Sequence, residues 1–195
     1  MLNYYNSNAK ALFEKYQSVD PDRVHANWLE HMPSNPGLAL DVGSGSGRDA
    51  LWLAQKGWDV IAVEPAEALL ELGRELTSTS SVEWINDCLP NLAKLQEYQQ
   101  KFSLILVSGV LMHFPFQQRL ESLETLAGLM ATKDSVLVVT LRHGADSDGR
   151  KFHQVSAEEI VQFAREKSLY AEVKSALVDE LHRPGVTWQS VIVKN

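Results

Sequence analysis

From Leu38 onward the chain alternates short apolar segments with segments of helical periodicity, and this alternation constrains the fold more than any other feature. The segment 102–108 is almost uninterruptedly apolar, which is typical of a strand covered on both faces. Strands and helices that alternate at these lengths predict βαβ units with right-handed crossovers. We therefore expect a doubly wound α/β fold with a mostly parallel sheet.

The predicted elements follow one another closely. Strands are predicted at 38–42, 59–63, 81–86, 102–108, 135–141, 170–177 and 186–193, and helices at 48–56, 66–76, 117–130 and 157–167. The short spacing of the last two strands predicts an antiparallel pair on one side of the sheet. Two helical segments come first, at 3–17 and at 20–31. The second begins with Asp20-Pro21, an N-cap followed by proline at the first helical position.

The length of 195 residues suits one domain, 1–195, with a helical segment at 1–36 and an α/β core at 37–195. A formal net charge of -7 disfavours nucleic acid as a partner, since such binding depends on neutralising phosphates. The apolar runs are too short to span a membrane, and the polar N-terminus lacks a signal-peptide core. A single cysteine suits the cytoplasm. The six histidines lack ligand-like spacing, so no metal is expected.

A glycine-rich loop joins the first predicted strand of this core to its helix, with the sequence Gly43-Ser44-Gly45-Ser46-Gly47-Arg48-Asp49. Glycines at alternate positions allow a tight turn and let a ligand approach the backbone. The following helix directs free N–H groups to the same space. In doubly wound sheets ligands bind beyond the carboxyl ends of the strands, where this loop lies. The loop predicts a nucleotide-type site; the alternative is a purely structural turn.

The glycine spacing alone leaves the nucleotide open. Gly45, Gly47 and Ala50 fit the dinucleotide pattern, so a nicotinamide cofactor is not excluded. Asp41 stands two residues before Gly43, where a carboxylate repels a diphosphate but can hold an ammonium group. This acid favours S-adenosylmethionine, whose methionine end is zwitterionic.

Two further acids follow predicted strands. Glu64, which precedes Pro65, comes 21 residues after Gly43, the distance at which an acid reaches the ribose hydroxyls. Asp87 could accept a hydrogen bond from an adenine amino group while Cys88 or Leu89 flanks the ring. The alternatives are an exposed glutamate at a strand end and an aspartate that caps a helix.

Together these residues resemble the class I S-adenosylmethionine-dependent methyltransferases. The loop from Asp41 resembles the family's first motif, Glu64 its ribose-binding acid, Asp87 its adenine-side acid, and 102–113 its fourth motif, which includes Ser108 and Gly109. The resemblance implies S-adenosylmethionine as cofactor and a seven-stranded sheet with an antiparallel final strand. It also implies a lid of N-terminal helices, in which Tyr4, Tyr5 or Tyr16 closes over the cofactor.

The acceptor is expected to be a small molecule, because Ser108-Gly109-Val110 replaces the Asn-Pro-Pro-Tyr or Asp-Pro-Pro-Tyr motif of enzymes that modify bases or glutamine. His113 is the candidate general base, since its ordinary pKa lies near working pH; its alternative is to shape the pocket. Arg142 and His143 could receive a carboxylate or phosphate, or belong to a solvated polar loop that runs through Arg150. Arg183 and Trp188 could line the same mouth, although Trp188 is expected in the core.

Two other functions stay open at this stage. A nicotinamide-dependent oxidoreductase would need a second substrate domain or a Tyr/Lys pair at helical spacing, and neither is apparent. A cofactor-binding protein of the same fold without turnover is the non-enzymatic alternative. The pair Glu158-Glu159 is expected on a helix surface.

Overall fold

A computed structural model describes residues 1–144, 150 and 152–195, and it confirms the mostly parallel α/β sheet. The polar loop between Gly144 and Arg150 lies almost wholly outside the described residues. Within the described part the strands are β1 (Leu38–Val42), β2 (Asp59–Val63), β3 (Val82–Ile85), β4 (Leu104–Ser108), β5 (Val136–His143), β6 (Tyr170–Val173), β7 (Leu177–Val178) and β8 (Thr187–Lys194).

The strands form one sheet in the order β3-β2-β1-β4-β5-β8-β6, and the two-residue β7 also pairs with β8. The first five strands are mutually parallel where they pair, whereas β8 runs antiparallel to β5, β6 and β7. The predicted antiparallel last strand is therefore confirmed, and it lies between β5 and β6. Strand β1 sits between β2 and β4, so the carboxyl ends of these three strands meet at one edge of the sheet.

Helices cover both faces and one end of this sheet. They are α1 (Leu2–Ser7), α2 (Ala9–Gln17), α3 (Pro21–Val24), α4 (Arg48–Gln55), α5 (Glu67–Leu76), α6 (Phe116–Leu129) and α7 (Ala157–Glu166), with 3₁₀ turns at Leu29–His31, Ala93–Tyr98 and Leu111–His113. None of the helices within the described residues is long and apolar enough to cross a bilayer.

Most predicted elements shift by at most two residues at either end, but three differ more. The helix predicted at 3–17 breaks at Asn8, and the one predicted at 20–31 ends at Val24, although Asp20 caps it as expected by accepting from the Asp22 N–H at 2.9 Å. Beyond Val24 the chain turns so that His25 and Trp28 become fully buried, a tertiary demand that overrides helical propensity. The strand predicted at 170–177 is interrupted and forms β6 and β7.

Strand β4 shows how the two faces of the sheet are filled. Ile105 and Val107 pack into a large cluster that includes residues of α6 and α7, whereas Leu104 and Leu106 pack on the opposite face with Trp28 and other tryptophans. These four side chains of β4 are fully buried. This arrangement confirms the expectation of a strand covered on both faces and holds the carboxyl end of β4 rigidly beside that of β1.

Candidate active site

The glycine-rich loop turns sharply from β1 into α4. Gly43, Gly45 and Gly47 all have positive φ, at 70°, 54° and 77°, a region that favours glycine. The N–H groups of Gly43 and Ser44 donate to the Val63 carbonyl at 2.8 and 2.9 Å, which fastens the loop to the end of β2. A Cβ atom at Gly43 would lie 2.6 Å from Val110 Cγ2, so glycine is needed there for space as well as for conformation.

A cavity of about 340 Å³ opens at this edge of the sheet. Its walls come from the glycine-rich loop, the carboxyl ends of β2, β4 and β5, the N-terminal helices, and the hairpin of β7 and β8. The predicted site residues that line it are Tyr5, Gly43, Ser44, Gly45, Arg48, Asp49, Glu64, Pro65, Asp87, Cys88, Leu89, Ser108, Gly109, His113 and Arg142. Three other predicted residues, Asp41, Gly47 and His143, are not among its lining residues. The structure thus brings together in one space side chains that are scattered over the sequence.

Glu64 links the end of β2 to the glycine-rich loop. Its Oε2 accepts from the Gly45 N–H at 2.9 Å and its Oε1 accepts from the Ala66 N–H at 2.8 Å. The side chain is buried, and burial raises its pKa, while the two backbone hydrogen bonds act in the opposite direction. Glu64 is therefore an oriented acceptor at the cavity wall and not the exposed strand-end glutamate of the alternative interpretation.

Asp41 lies beneath the loop, at the end of β1, and is only 1% exposed. Its Oδ2 has no hydrogen-bond partner among the described residues. Burial, followed by the nearby charge of Asp49, raises the pKa of Asp41 well above its ordinary value. A buried carboxylate oxygen without a partner is costly, and a cationic group bound nearby would offset this cost.

Asp49 has the opposite electrostatic setting. Burial alone would raise its pKa, but Arg48, which donates to both carboxylate oxygens at 2.8 and 2.9 Å, and His25 hold it far below the ordinary value. His25 Nε2 lies 3.0 Å from Asp49 Oδ1, and His25 Nδ1 accepts from the Trp28 indole N–H at 3.1 Å. The segment after α3 is thereby tied to the first turn of α4, a link that the sequence does not predict because nothing local distinguishes His25.

Asp87 follows β3 and borders the cavity. Its two carboxylate oxygens accept from the backbone N–H groups of Cys88 and Lys94, at 2.8 and 2.7 Å. Asp87 therefore does organise the local turn, as the capping alternative supposed, and it does so while it lines the cavity. The neighbouring Cys88 is exposed as a residue. Partial burial of its thiol and the charge of Asp87 nevertheless raise the pKa of the thiol, which disfavours the reactive thiolate.

The N-terminal helices contact the rim of the cavity through two side chains, Tyr5 of α1 and Gln17 of α2. The Tyr5 hydroxyl lies 3.0 Å from His113 Nε2, and Arg150 donates to the same hydroxyl at 3.1 Å. Burial raises the pKa of Tyr5, so the phenol stays protonated at neutral pH and can donate to His113. On α2, Gln17 donates to the Ser46 carbonyl at 3.1 Å and to its hydroxyl at 3.0 Å.

The wall away from the glycine-rich loop contains Arg142, which is buried and donates to the Gly144 carbonyl at 2.8 Å. His143, the next residue of β5, is half-buried and is not among the residues that line the cavity. Trp188, expected in the core, instead lines the cavity. In the antiparallel pairing of β5 with β8 it is the partner of Arg142. The strand alternation could place Trp188 on a face of the sheet but could not show that the face is open at that point.

Other lining residues carry no local signal in the sequence. Phe152, Asp179 and Arg150 stand in irregular segments, and only the packing of the loops against the sheet brings them to the cavity. Across residues 1–144, 150 and 152–195, no group of three His, Cys, Asp or Glu side chains is arranged to hold a metal ion.

The strand order, the glycine-rich loop and the acid that ends β2 define a Rossmann-like nucleotide-binding protein. Residues 39–133 match the family model described as a methyltransferase domain. No curated protein matches the sequence.

Solved structures share the fold at low sequence identity. A magnesium protoporphyrin IX methyltransferase from Synechocystis with bound S-adenosylmethionine has a TM-score of 0.70 at 16% identity, covering 99% of this chain and 94% of that one. A Burkholderia thailandensis 1,6-didemethyltoxoflavin-N1-methyltransferase has a TM-score of 0.71 at 16% identity, covering 100% and 87%. A Haemonchus contortus phosphoethanolamine N-methyltransferase has a TM-score of 0.74 at 13% identity, covering 98% and 58%. The family model and these structures together show a methyltransferase-like domain at 39–133 and a fold shared with S-adenosylmethionine-binding methyltransferases.

Proposed function

We propose that the chain binds S-adenosylmethionine and transfers its methyl group to a small-molecule acceptor. The observation that carries this proposal is the continuity of the cavity, which runs without a partition from Glu64 and the glycine-rich loop to His113 and Arg142. A group-transfer enzyme needs donor and acceptor in one enclosed space, since alignment alone contributes on the order of 7–11 kcal/mol to such reactions.

The residues present fit this cofactor. Glu64 offers carboxylate oxygens to a ribose diol, and Gly43 and Gly45 leave the backbone accessible beside it. The buried Oδ2 of Asp41, which has no partner within the described residues, suits the neighbourhood of an ammonium group. Asp87, Cys88 and Leu89 border the place expected for the adenine.

When bound, the cofactor supplies an electrophilic methyl group on a sulfonium. The chain has to hold the acceptor close to that group, exclude water and remove a proton where the acceptor carries one. We assign His113 as the base for this proton because its ring lines the cavity; Tyr5 occupies Nε2 in the closed arrangement, so this hydrogen bond has to open before Nε2 can accept a proton. Arg142 and Arg150, with Phe152 between them in the same wall, position the acceptor.

The enclosure of the site supports a small acceptor over a macromolecule. Tyr16 lies against Gly45 and Tyr5 reaches across to His113, and these contacts support a lid function of α1 and α2. The negative net charge further disfavours nucleic acid. The similar Burkholderia structure holds a small molecule, 1,6-didemethyltoxoflavin, together with S-adenosylhomocysteine. We place the protein in the cytoplasm, in keeping with its single cysteine, and treat 1–195 as one functional unit.

Titration calorimetry tests the first half of this proposal, with S-adenosylmethionine, S-adenosylhomocysteine and NAD as ligands. We expect both sulfur ligands to bind and NAD not to bind. Incubation with radiolabelled S-adenosylmethionine and a fractionated metabolite pool tests the second half, through labelled product and S-adenosylhomocysteine release. Binding of NAD in preference would restore the oxidoreductase, and binding without any transfer would leave a non-catalytic cofactor protein.

A further inference from the structure

The half of the cavity away from the glycine-rich loop is built around Trp188. The indole packs against Gly109, where an added Cβ would lie 3.0 Å from two of its ring carbons. Gly109 also has a φ of 66°, so both conformation and space require glycine at this position. The loop after β4 therefore leaves room for an aromatic ring that reaches the cavity from β8.

Asp179 fixes the position of this ring. Its Oδ1 accepts from the Trp188 indole N–H at 2.8 Å, and its two oxygens accept from the Arg183 guanidinium at 2.6 and 2.8 Å. The Arg183 backbone N–H adds a further hydrogen bond to Oδ2 at 2.9 Å. Asp179 is itself only 4% exposed. An aromatic side chain held in this way loses little conformational entropy when a ligand packs on it.

We propose that Trp188, positioned by Asp179, selects a planar ring acceptor. This inference rests on the proposed methyltransferase function and specifies its acceptor. A flat ring can stack on an indole or meet its edge, and both geometries are favourable. Phe152, which lies under the guanidinium groups of Arg142 and Arg150 and 5.2 Å from the His113 ring, borders the same half of the cavity. A puckered saturated ring cannot lie flat on the indole of Trp188.

Binding to the complex with S-adenosylhomocysteine tests this inference without turnover. The probes are a panel of hydroxylated one- to three-ring aromatic compounds, including 7-hydroxycoumarin, and cyclohexanol as a neutral puckered ring. We expect at least one aromatic probe to bind and cyclohexanol not to bind. Trp188→Leu should weaken the aromatic probe by roughly tenfold, whereas Trp188→Phe, which keeps a ring, should weaken it much less.

The controls separate this inference from the function on which it rests. Both Trp188 variants should bind S-adenosylhomocysteine as the wild type does, which also shows that they are folded. Failure of the wild type to bind S-adenosylhomocysteine would contradict the proposed function. With that binding intact, the inference is wrong if no aromatic probe binds, if cyclohexanol binds as well as the aromatic rings do, or if Trp188→Leu leaves the aromatic affinity unchanged.

Discussion

The Tyr5 hydroxyl lies 3.0 Å from His113 Nε2, so the first helix of the chain is hydrogen-bonded to the loop that follows β4. The two rings also meet edge to face, at a centroid separation of 5.6 Å. This contact closes the cavity above the place where the acceptor is proposed to bind. It joins lid closure to the nitrogen that we assign as the base.

Replacing His113 by alanine should slow turnover and leave cofactor affinity intact. A general base contributes about 10²–10⁴-fold to a rate, so the loss in kcat should reach that range for an acceptor that loses a proton. Cofactor affinity is measured by calorimetry and turnover by release of S-adenosylhomocysteine. His153→Ala is the matched control, because His153 is exposed and its backbone N–H, which alanine keeps, donates to the Met112 carbonyl. Unchanged turnover in His113→Ala would assign His113 the role of shaping the pocket.

Replacing Glu64 by alanine should weaken S-adenosylmethionine binding by about tenfold or more, the effect of losing charge-assisted hydrogen bonds of about 1.5–3 kcal/mol. The variant also releases the Gly45 N–H, from which Glu64 now accepts, so the glycine-rich loop loses part of its support. Calorimetry gives the affinity, and Glu67→Ala, an exposed acid three residues further on, serves as control. Equal affinities of the variant and the wild type would remove Glu64 from the site.

In the absence of ligand, the Asp41→Asn variant should be more stable than the wild type, and this difference should grow as the pH rises. The folded-state pKa of Asp41 lies above its unfolded value of about 3.9. The stability that the protonated carboxyl contributes is therefore fully present below the unfolded pKa and is lost as the pH rises through the folded pKa. Asparagine stays neutral throughout, so the difference in Tm between variant and wild type should grow with pH, by about 2–4 °C for each kcal/mol.

Thermal unfolding at a series of pH values measures this difference, and calorimetry of the same variant should show weaker cofactor binding. A Tm difference that stays constant with pH would contradict the buried-carboxylate interpretation of Asp41.

The glycines of the loop allow a matched comparison of strain and space. Gly43→Ala and Gly45→Ala both place a side chain at positive φ, at a cost of about 1–2 kcal/mol each. Only the Gly43 variant also meets a close neighbour, Val110 Cγ2 at 2.6 Å, whereas the nearest atom to a Cβ at Gly45 is 3.8 Å away. We expect Gly43→Ala to lower the free energy of unfolding more than Gly45→Ala does, as measured by urea denaturation. Equal losses would show that conformation alone selects glycine here.

Much of the fold follows from local pattern. Strand length, apolar runs and the glycine-rich loop are properties of neighbouring residues, and a backbone buried on both faces needs apolar side chains at every position. For this reason the sequence predicts β1 to β5, their helices and the place of Glu64 at a strand end. Residue identity and distance along the chain also select Asp41, Gly43 and Asp87 as candidate site residues.

What remains depends on which distant segments meet. Glu158 and Glu159 look alike in the sequence, yet Glu159 forms a paired hydrogen bond to the buried Arg119 from α6, at 2.8 Å for each oxygen. Trp188 fits a core strand equally well by its sequence, and it is the contacts with Gly109 and Asp179 that hold it at the cavity.

The amino-acid sequence by itself determined the alternating α/β architecture and the acids that flank the glycine-rich loop, because hydrophobic period and turn chemistry act over a few residues. Only the tertiary structure decided that β8 inserts between β5 and β6 and that Tyr5 reaches His113. It also decided that Trp188 lines the half of the cavity away from the glycine-rich loop. These contacts join segments far apart in the chain, and their free energy depends on packing that local periodicity does not encode.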